Sequence, residues 1–172
     1  MSESYAALFA HLPDHARFWC YVADKPLNDA EQAILLAHLD SFFASWQSHG
    51  RPVTGTAKIL DDRLLLLAAT LNGEISGCGI DASVHAVTHA GAAVGITWKT
   101  GLFVVHRVLD GAIAVTPRRA FKQAAKAGDV TPQTPVFDLT LMHLGDVRAG
   151  RFEQPAAKSW VSRVVRFGSV AA

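Results

Sequence analysis

The chain has little cysteine. Two in 172 residues, Cys20 and Cys78, are too few for the disulfide framework of a small secreted domain. Long apolar runs are missing as well: none approaches about 18 residues, so no transmembrane helix is expected. Neither sign of charge dominates, with 16 Lys and Arg against 15 Asp and Glu. That balance removes any general case for nucleic acid or a membrane surface as a partner. Met1–Ser2–Glu3–Ser4 lacks the basic start and apolar stretch of a signal peptide. Internal repeats and low-complexity tracts are absent. These absences point to a cytoplasmic, bacterial-type protein with reduced thiols. Half of the residues are hydrophobic and 18% are charged, which fits a single globular domain over residues 1–172 with a real core.

The common catalytic and cofactor signatures are also missing. No Ser-His-Asp order, no paired-carboxylate signature and no Gly-x-Gly-x-x-Gly after a strand can be recognised. Gly73, Gly77 and Gly79 do not have dinucleotide-fold spacing. No cofactor is expected.

What is present is organised around two adjoining stretches. Leu64–Leu65–Leu66–Leu67–Ala68–Ala69 reads as a central strand buried on both faces. Asp61–Asp62 precede it with turn chemistry, and Asn72–Gly73 follow it. Then comes Ser76–Gly77–Cys78–Gly79–Ile80–Asp81–Ala82–Ser83, read as a glycine-flanked loop opening a helix over about 82–93, with Asp81 or Ser83 as its cap. That places Cys78 beside free N–H groups and the positive end of a helix dipole, both of which favour a thiolate. The alternative is that Cys78 is a small apolar filler and the glycines only make the turn.

Taken in order, residues 1–13 form a short amphipathic lead, and Arg17–Val22 is aromatic and β-favouring. Asn28 with Glu31 resembles a capping box. Leu35, Leu39, Phe42, Phe43 and Trp46 then repeat at helical spacing, and Gly50 followed by Pro52 ends that helix. Residues 53–59 suit a second strand, joined to the Leu64 strand by the Asp61–Asp62 turn. Residues 102–108 and 112–116 suit a hairpin around Asp110–Gly111. Thr116–Pro117 reads as a cap and first helical position, opening a helix that closes at Gly128. Residues 136–141 can add a strand, and 155–165 a last helix. Strand, helix, strand, strand, helix, strand, with a C-terminal extension of strand and helices, is the split βαβ order of a ferredoxin-like βαββαβ α+β core. In this reading the first and third strands run side by side in the same direction. The loops entering both helices then share an edge, and Lys25 neighbours Cys78.

Leu12–Pro13–Asp14–His15–Ala16–Arg17, Lys25–Pro26–Leu27, Trp46–Gln47–Ser48–His49–Gly50, Ser76–Gly77–Cys78–Gly79–Ile80–Asp81 and Ser159–Trp160 together resemble an uncharacterised family of small bacterial proteins. Its members, chiefly from Bacteroidetes, often carry the label "ABC transporter ATPase". The resemblance spans most of the chain and implies relatedness without a mechanism. The label fails on the residues: a P-loop needs Gly-Lys-Ser/Thr, and Lys99–Thr100 are preceded by Trp98.

Three further constellations have ordinary structural explanations. His85 and His89 stand four apart on one helix face, a metal-ligand spacing to which Cys78 or Asp81 would add a third group, but two surface histidines on a helix are common. Arg118, Arg119, Lys122 and Lys126 form a basic face, which is usually solvated. Trp19 and Trp46 fit the core by periodicity, whereas Trp98 and Trp160 near element ends suit either packing or a pocket wall.

The leading expectation is a binding module for an unknown small molecule or protein, using the Ser76–Ser83 loop. Lys25, Gly77, Gly79, Asp81 and Ser83 are its ligand-binding candidates. The alternative is a thiol-dependent enzyme or redox sensor with Cys78 as its catalytic residue and a histidine as base. Metal is not expected.

Overall fold

A computed structural model describes residues 4–168. In chain order the elements are β1 (Arg17–Val22), α1 (Asp29–Ser45), β2 (Gln47–Ser48), β3 (Arg51–Pro52), β4 (Thr54–Leu60), β5 (Leu64–Thr70), α2 (Gly77–Ala93), β6 (Phe103–Arg107), β7 (Ile113–Pro117), α3 (Arg118–Ala127), β8 (Pro135–Phe137) and β9 (Glu153–Pro155). The protein is mixed α+β, and its sheets are antiparallel. No helix among the described residues is long and apolar enough to cross a membrane.

β5 is the middle strand of a three-stranded sheet ordered β1-β5-β4. Its residues 64–69 have no exposed surface, as a strand apolar on both faces requires. Alternation divides its side chains between two cores. Leu65 and Leu67 meet Leu35 and Leu39 of α1 and Val87 and Ala90 of α2. Leu64, Leu66 and Ala68 join Phe18 and Val22 of β1 and face Val105 and Phe137 of the second sheet. That sheet is ordered β7-β6-β8-β9. Its far side packs Val104 and Val136 against Phe121 and Ala125 of α3 and against Val161 and Val165. Four layers result: α1 with α2, the first sheet, the second sheet, then α3 with the C-terminal turns.

Several sequence expectations are met. Asn28 accepts the Glu31 N–H while the Glu31 side chain accepts the Asn28 N–H, a complete capping box. Asp61 and Asp62 take positive φ in the turn joining β4 to β5. Gly128 closes α3 in the left-handed conformation.

Others are corrected. β1 and β5 run antiparallel, with Arg17 opposite Ala69 and Val22 opposite Leu64. The loops entering α1 and α2 therefore lie at opposite ends of the sheet, roughly 17 Å apart along the strands. After α2 the chain touches the open edge of β1 through one bridge, Ala23 to Trp98, before entering the second sheet as β6. α1 ends at Ser45, and Gly50 instead turns the β2–β3 hairpin, where His49 and Gly50 both have positive φ. α2 begins at Gly77 with Ser76 as its cap; Asp81 and Ser83 lie inside the helix. Pro117, not Thr116, is the residue before α3. β8 stops at Phe137, and the expected last helix is two short 3-10 turns, Ala156–Lys158 and Trp160–Arg163. Of the expected N-terminal lead, Tyr5–Ala7 form a 3-10 turn, and residues 1–3 lie outside the described residues.

Arg148 fixes that lead. Its guanidinium donates to the carbonyls of Leu8, Phe9 and Leu12 and pairs with Asp14 at 2.6 Å. Residues 142–145 run beside this segment: Leu144 N–H reaches Ala16 O, and Phe18 N–H reaches Met142 O. This antiparallel contact sets His143 opposite Arg17 at the start of β1.

Candidate functional site

The start of α2 shows what the sequence-predicted site residues do. The Ser76 hydroxyl accepts the Gly79 N–H. Gly79 is buried, and a Cβ there would meet Ile75, and Ser48 Oγ, at 3.0 and 3.1 Å. Its carbonyl accepts the Trp46 indole N–H at 3.0 Å. Gly79 is thus a site of close packing, and Ser83 is a buried hydroxyl donating to Ile80 O at 2.6 Å. Gly77 has open space around it, and Asp81 is exposed. Cys78 is exposed in the first turn. Lys25 is not brought to this loop. It lies at the other end of β1, paired with Glu31 at 2.7 Å, a contact that holds the Glu31 carboxyl below its ordinary range.

Immediately beside this helix start lies a cleft of about 330 Å³ that the sequence reading did not assemble. It sits where β5 ends and β1 begins. Its walls include Leu71, Ile75 and Ile80, the last two flanking the Ser76–Gly79 turn, and its polar groups come from His15, Arg17, Thr70, Glu74 and His143. Three separate segments contribute them. Arg17 is held by its pairing with Ala69 and His143 and by the Trp19 ring, 5.7 Å from the guanidinium carbon. Its Nε is buried without a hydrogen-bond partner. The side chains of His15, Glu74 and His143 likewise have no hydrogen bond or ion pair among the described residues. A buried donor without a partner costs about 1–3 kcal/mol, and the Nε of Arg118 is in the same condition.

The cluster around Arg107 satisfies itself. Arg107 and Glu153 form a two-pronged pair, with Tyr5 donating to Glu153 at 2.6 Å and Asp61 and Gly111 O accepting from Arg107 at 2.7 and 2.8 Å. The bond to Glu153 holds the Arg107 guanidinium more firmly protonated than usual, while burial, then the Glu153 carboxylate, push the Tyr5 hydroxyl up. His106 beside them is buried, with Nε2 2.9 Å from Thr116 Oγ1, and burial lowers its pKa. The cavity of about 790 Å³ beside this network is bordered by these paired groups and by Asp129 and Gln133, whose side chains pair with no described residue.

His85 and His89 line a groove between α1 and α2, where the His89 ring lies edge-on to His38 at 5.8 Å. Among the described residues no three His, Cys, Asp or Glu side chains are placed to hold a metal ion; Cys78 and Asp81 do not complete the histidine pair. Arg119, Lys122 and Lys126 are exposed, while Arg118 lies over Trp160. Trp98 donates to Val87 O and fills the space beside Gly91.

Of the cleft residues, Arg17 left a trace in the sequence. It shares strand parity with Trp19 and Tyr21, so a cation falls on the helix-packing face of β1. Nothing in the sequence pointed to Glu74 or His143. No protein-family model, curated protein or solved structure matches the chain.

Proposed function

We propose that this chain is a small-ligand binding module whose ligand occupies the cleft of His15, Arg17, Thr70, Glu74 and His143, walled by the start of α2. The observation that carries this reading is Arg17: its side chain lines an open cleft and makes no hydrogen bond or ion pair with another described residue, which leaves its guanidinium to an acceptor in that space. The Ser76–Ser83 segment acts as scaffold, since Ser76 and Gly79 lock the helix start that forms one wall. A cleft of about 330 Å³ is of a size for a small molecule.

The thiol-dependent reading is supported by the exposure of Cys78 in the first turn of α2. The two separate in one experiment: ligand-observed NMR screening of a fragment set containing carboxylates, phosphates and amines. Under the cleft reading, Arg17→Met loses the hits and Cys78→Ser keeps them. Hits lost in Cys78→Ser and kept in Arg17→Met sink the cleft reading.

The finer assignments belong with this proposal. A ferredoxin-like ancestry for β1–α1–β4–β5–α2 is supported by the order β1-β5-β4 and by the Trp98 contact at the free edge of β1. Membership of the small bacterial family rests on the sequence resemblance, and a cytoplasmic location on the sparse cysteines.

A further inference from the structure

Resting on the cleft reading, we infer that the ligand is a zwitterion of amino-acid size, with its carboxylate on Arg17 and its ammonium on Glu74. Arg17 and Glu74 carry opposite charges, line one cleft, and form no ion pair with each other or with another described residue. Two opposite charges left unpaired in one cleft ask for a ligand that carries both complements.

A simple anion fits less well. Phosphate or a plain carboxylate would be attracted by Arg17. It would also be repelled by Glu74 in the same cleft. A simple cation meets the converse difficulty at Arg17. Size points the same way: about 330 Å³ is at the lower end of small-molecule sites, which suits an amino acid better than a nucleotide. Thr70 offers a hydroxyl that both donates and accepts, and Leu71, Ile75 and Ile80 provide an apolar wall for a short aliphatic side chain.

The test compares three probes by calorimetry at neutral pH: L-valine, isovalerate (the same skeleton without the amine) and isobutylamine (without the carboxylate). The wild-type protein should bind valine at least tenfold more tightly than either truncated probe. Glu74→Gln should weaken valine and, by removing the repulsion, tighten isovalerate, so that the two acids bind alike. Arg17→Met should abolish binding of both acids. Glu74 is exposed and unpartnered, so its variant should melt like the wild type. Equal binding of valine and isovalerate, or indifference of valine to Glu74→Gln, overturns the zwitterion inference and leaves the cleft standing. Binding that survives Arg17→Met, or no binding of these probes or of inorganic phosphate, overturns the cleft reading and the inference with it.

Discussion

Ser48 and Ser76 hold each other: the Ser48 hydroxyl donates to Ser76 Oγ at 2.9 Å and accepts the Ser76 backbone N–H at 2.9 Å. Ser76 in turn caps α2. A hairpin residue thereby anchors the helix that walls the cleft, and Ser48 is buried while doing so.

Ser48→Ala should therefore cost about 1–3 kcal/mol, because it removes both hydrogen bonds that hold the part-buried Ser76. Gly50→Val should cost about 1–2 kcal/mol for a different reason, a β-branched residue at φ +74°. Amide exchange separates the two. Only Ser48→Ala should loosen protection at the start of α2, and unchanged protection there would remove Ser48 from the helix cap.

The second prediction concerns the pair linking β6 to β9. The Glu153 side chain is 2% exposed and that of Arg107 is 11% exposed. Glu153→Ala leaves a largely buried guanidinium with only Asp61 and Gly111 O and removes the Tyr5 acceptor. It should cost about 3–5 kcal/mol. The double variant Arg107→Met/Glu153→Leu should be more stable than Glu153→Ala alone, since no uncompensated charge remains. Additive losses in a denaturation cycle would show that the pair is not energetically buried.

What the sequence made legible was local. The Leu64–Ala69 run, the Asn28–Glu31 box and Gly128 each carry their meaning within a few residues, and each is where it was expected. Gly50 shows the limit. Its positive φ was readable, but Trp46 leaves the helix early to reach the Gly79 carbonyl, 33 residues away, and that converts a helix end into a hairpin. Gly77 and Gly79 read as loop because glycine disfavours helices; the packing of Ser48 and Ile75 against Gly79 overrides that preference. Of the cleft only the parity of Arg17 was legible, because His143 meets it through one bridge from a distant segment and Glu74 comes from the loop after β5.

Acid should weaken the fold through His106. Its pKa is lowered in the folded state, chiefly by burial, from an ordinary value of 6.5. The unfolded chain then binds the proton more readily, so stability is fully present above about pH 6.5 and falls as pH drops below it. Asp24, whose carboxyl is lowered by the Thr97 hydroxyl, acts in a separate window below about pH 4. Melting temperatures at pH 7.5 and pH 5 should therefore differ, and His106→Gln should show a smaller difference. An unchanged pH slope in the variant would remove His106 as the source.

The two cysteines give the last prediction. Cys20 points from β1 toward the core between the sheets, and burial pushes its thiol pKa up. Cys20→Ser should cost about 1–3 kcal/mol by placing a hydroxyl there without a partner. Cys78 is exposed in the first turn of α2, so Cys78→Ser should leave the melting temperature nearly unchanged. Alkylation of the folded protein should modify Cys78 and spare Cys20 until denaturant is added. Binding of ligand in the cleft should survive both Cys78→Ser and alkylation at Cys78, because that side chain is not among those lining the cleft. If labelling Cys78 blocks binding while Cys78→Ser does not, the adduct reaches the cleft and Cys78 sits at its mouth. If both block it, the thiol takes part in binding, and the thiol-dependent reading replaces the one argued from Arg17.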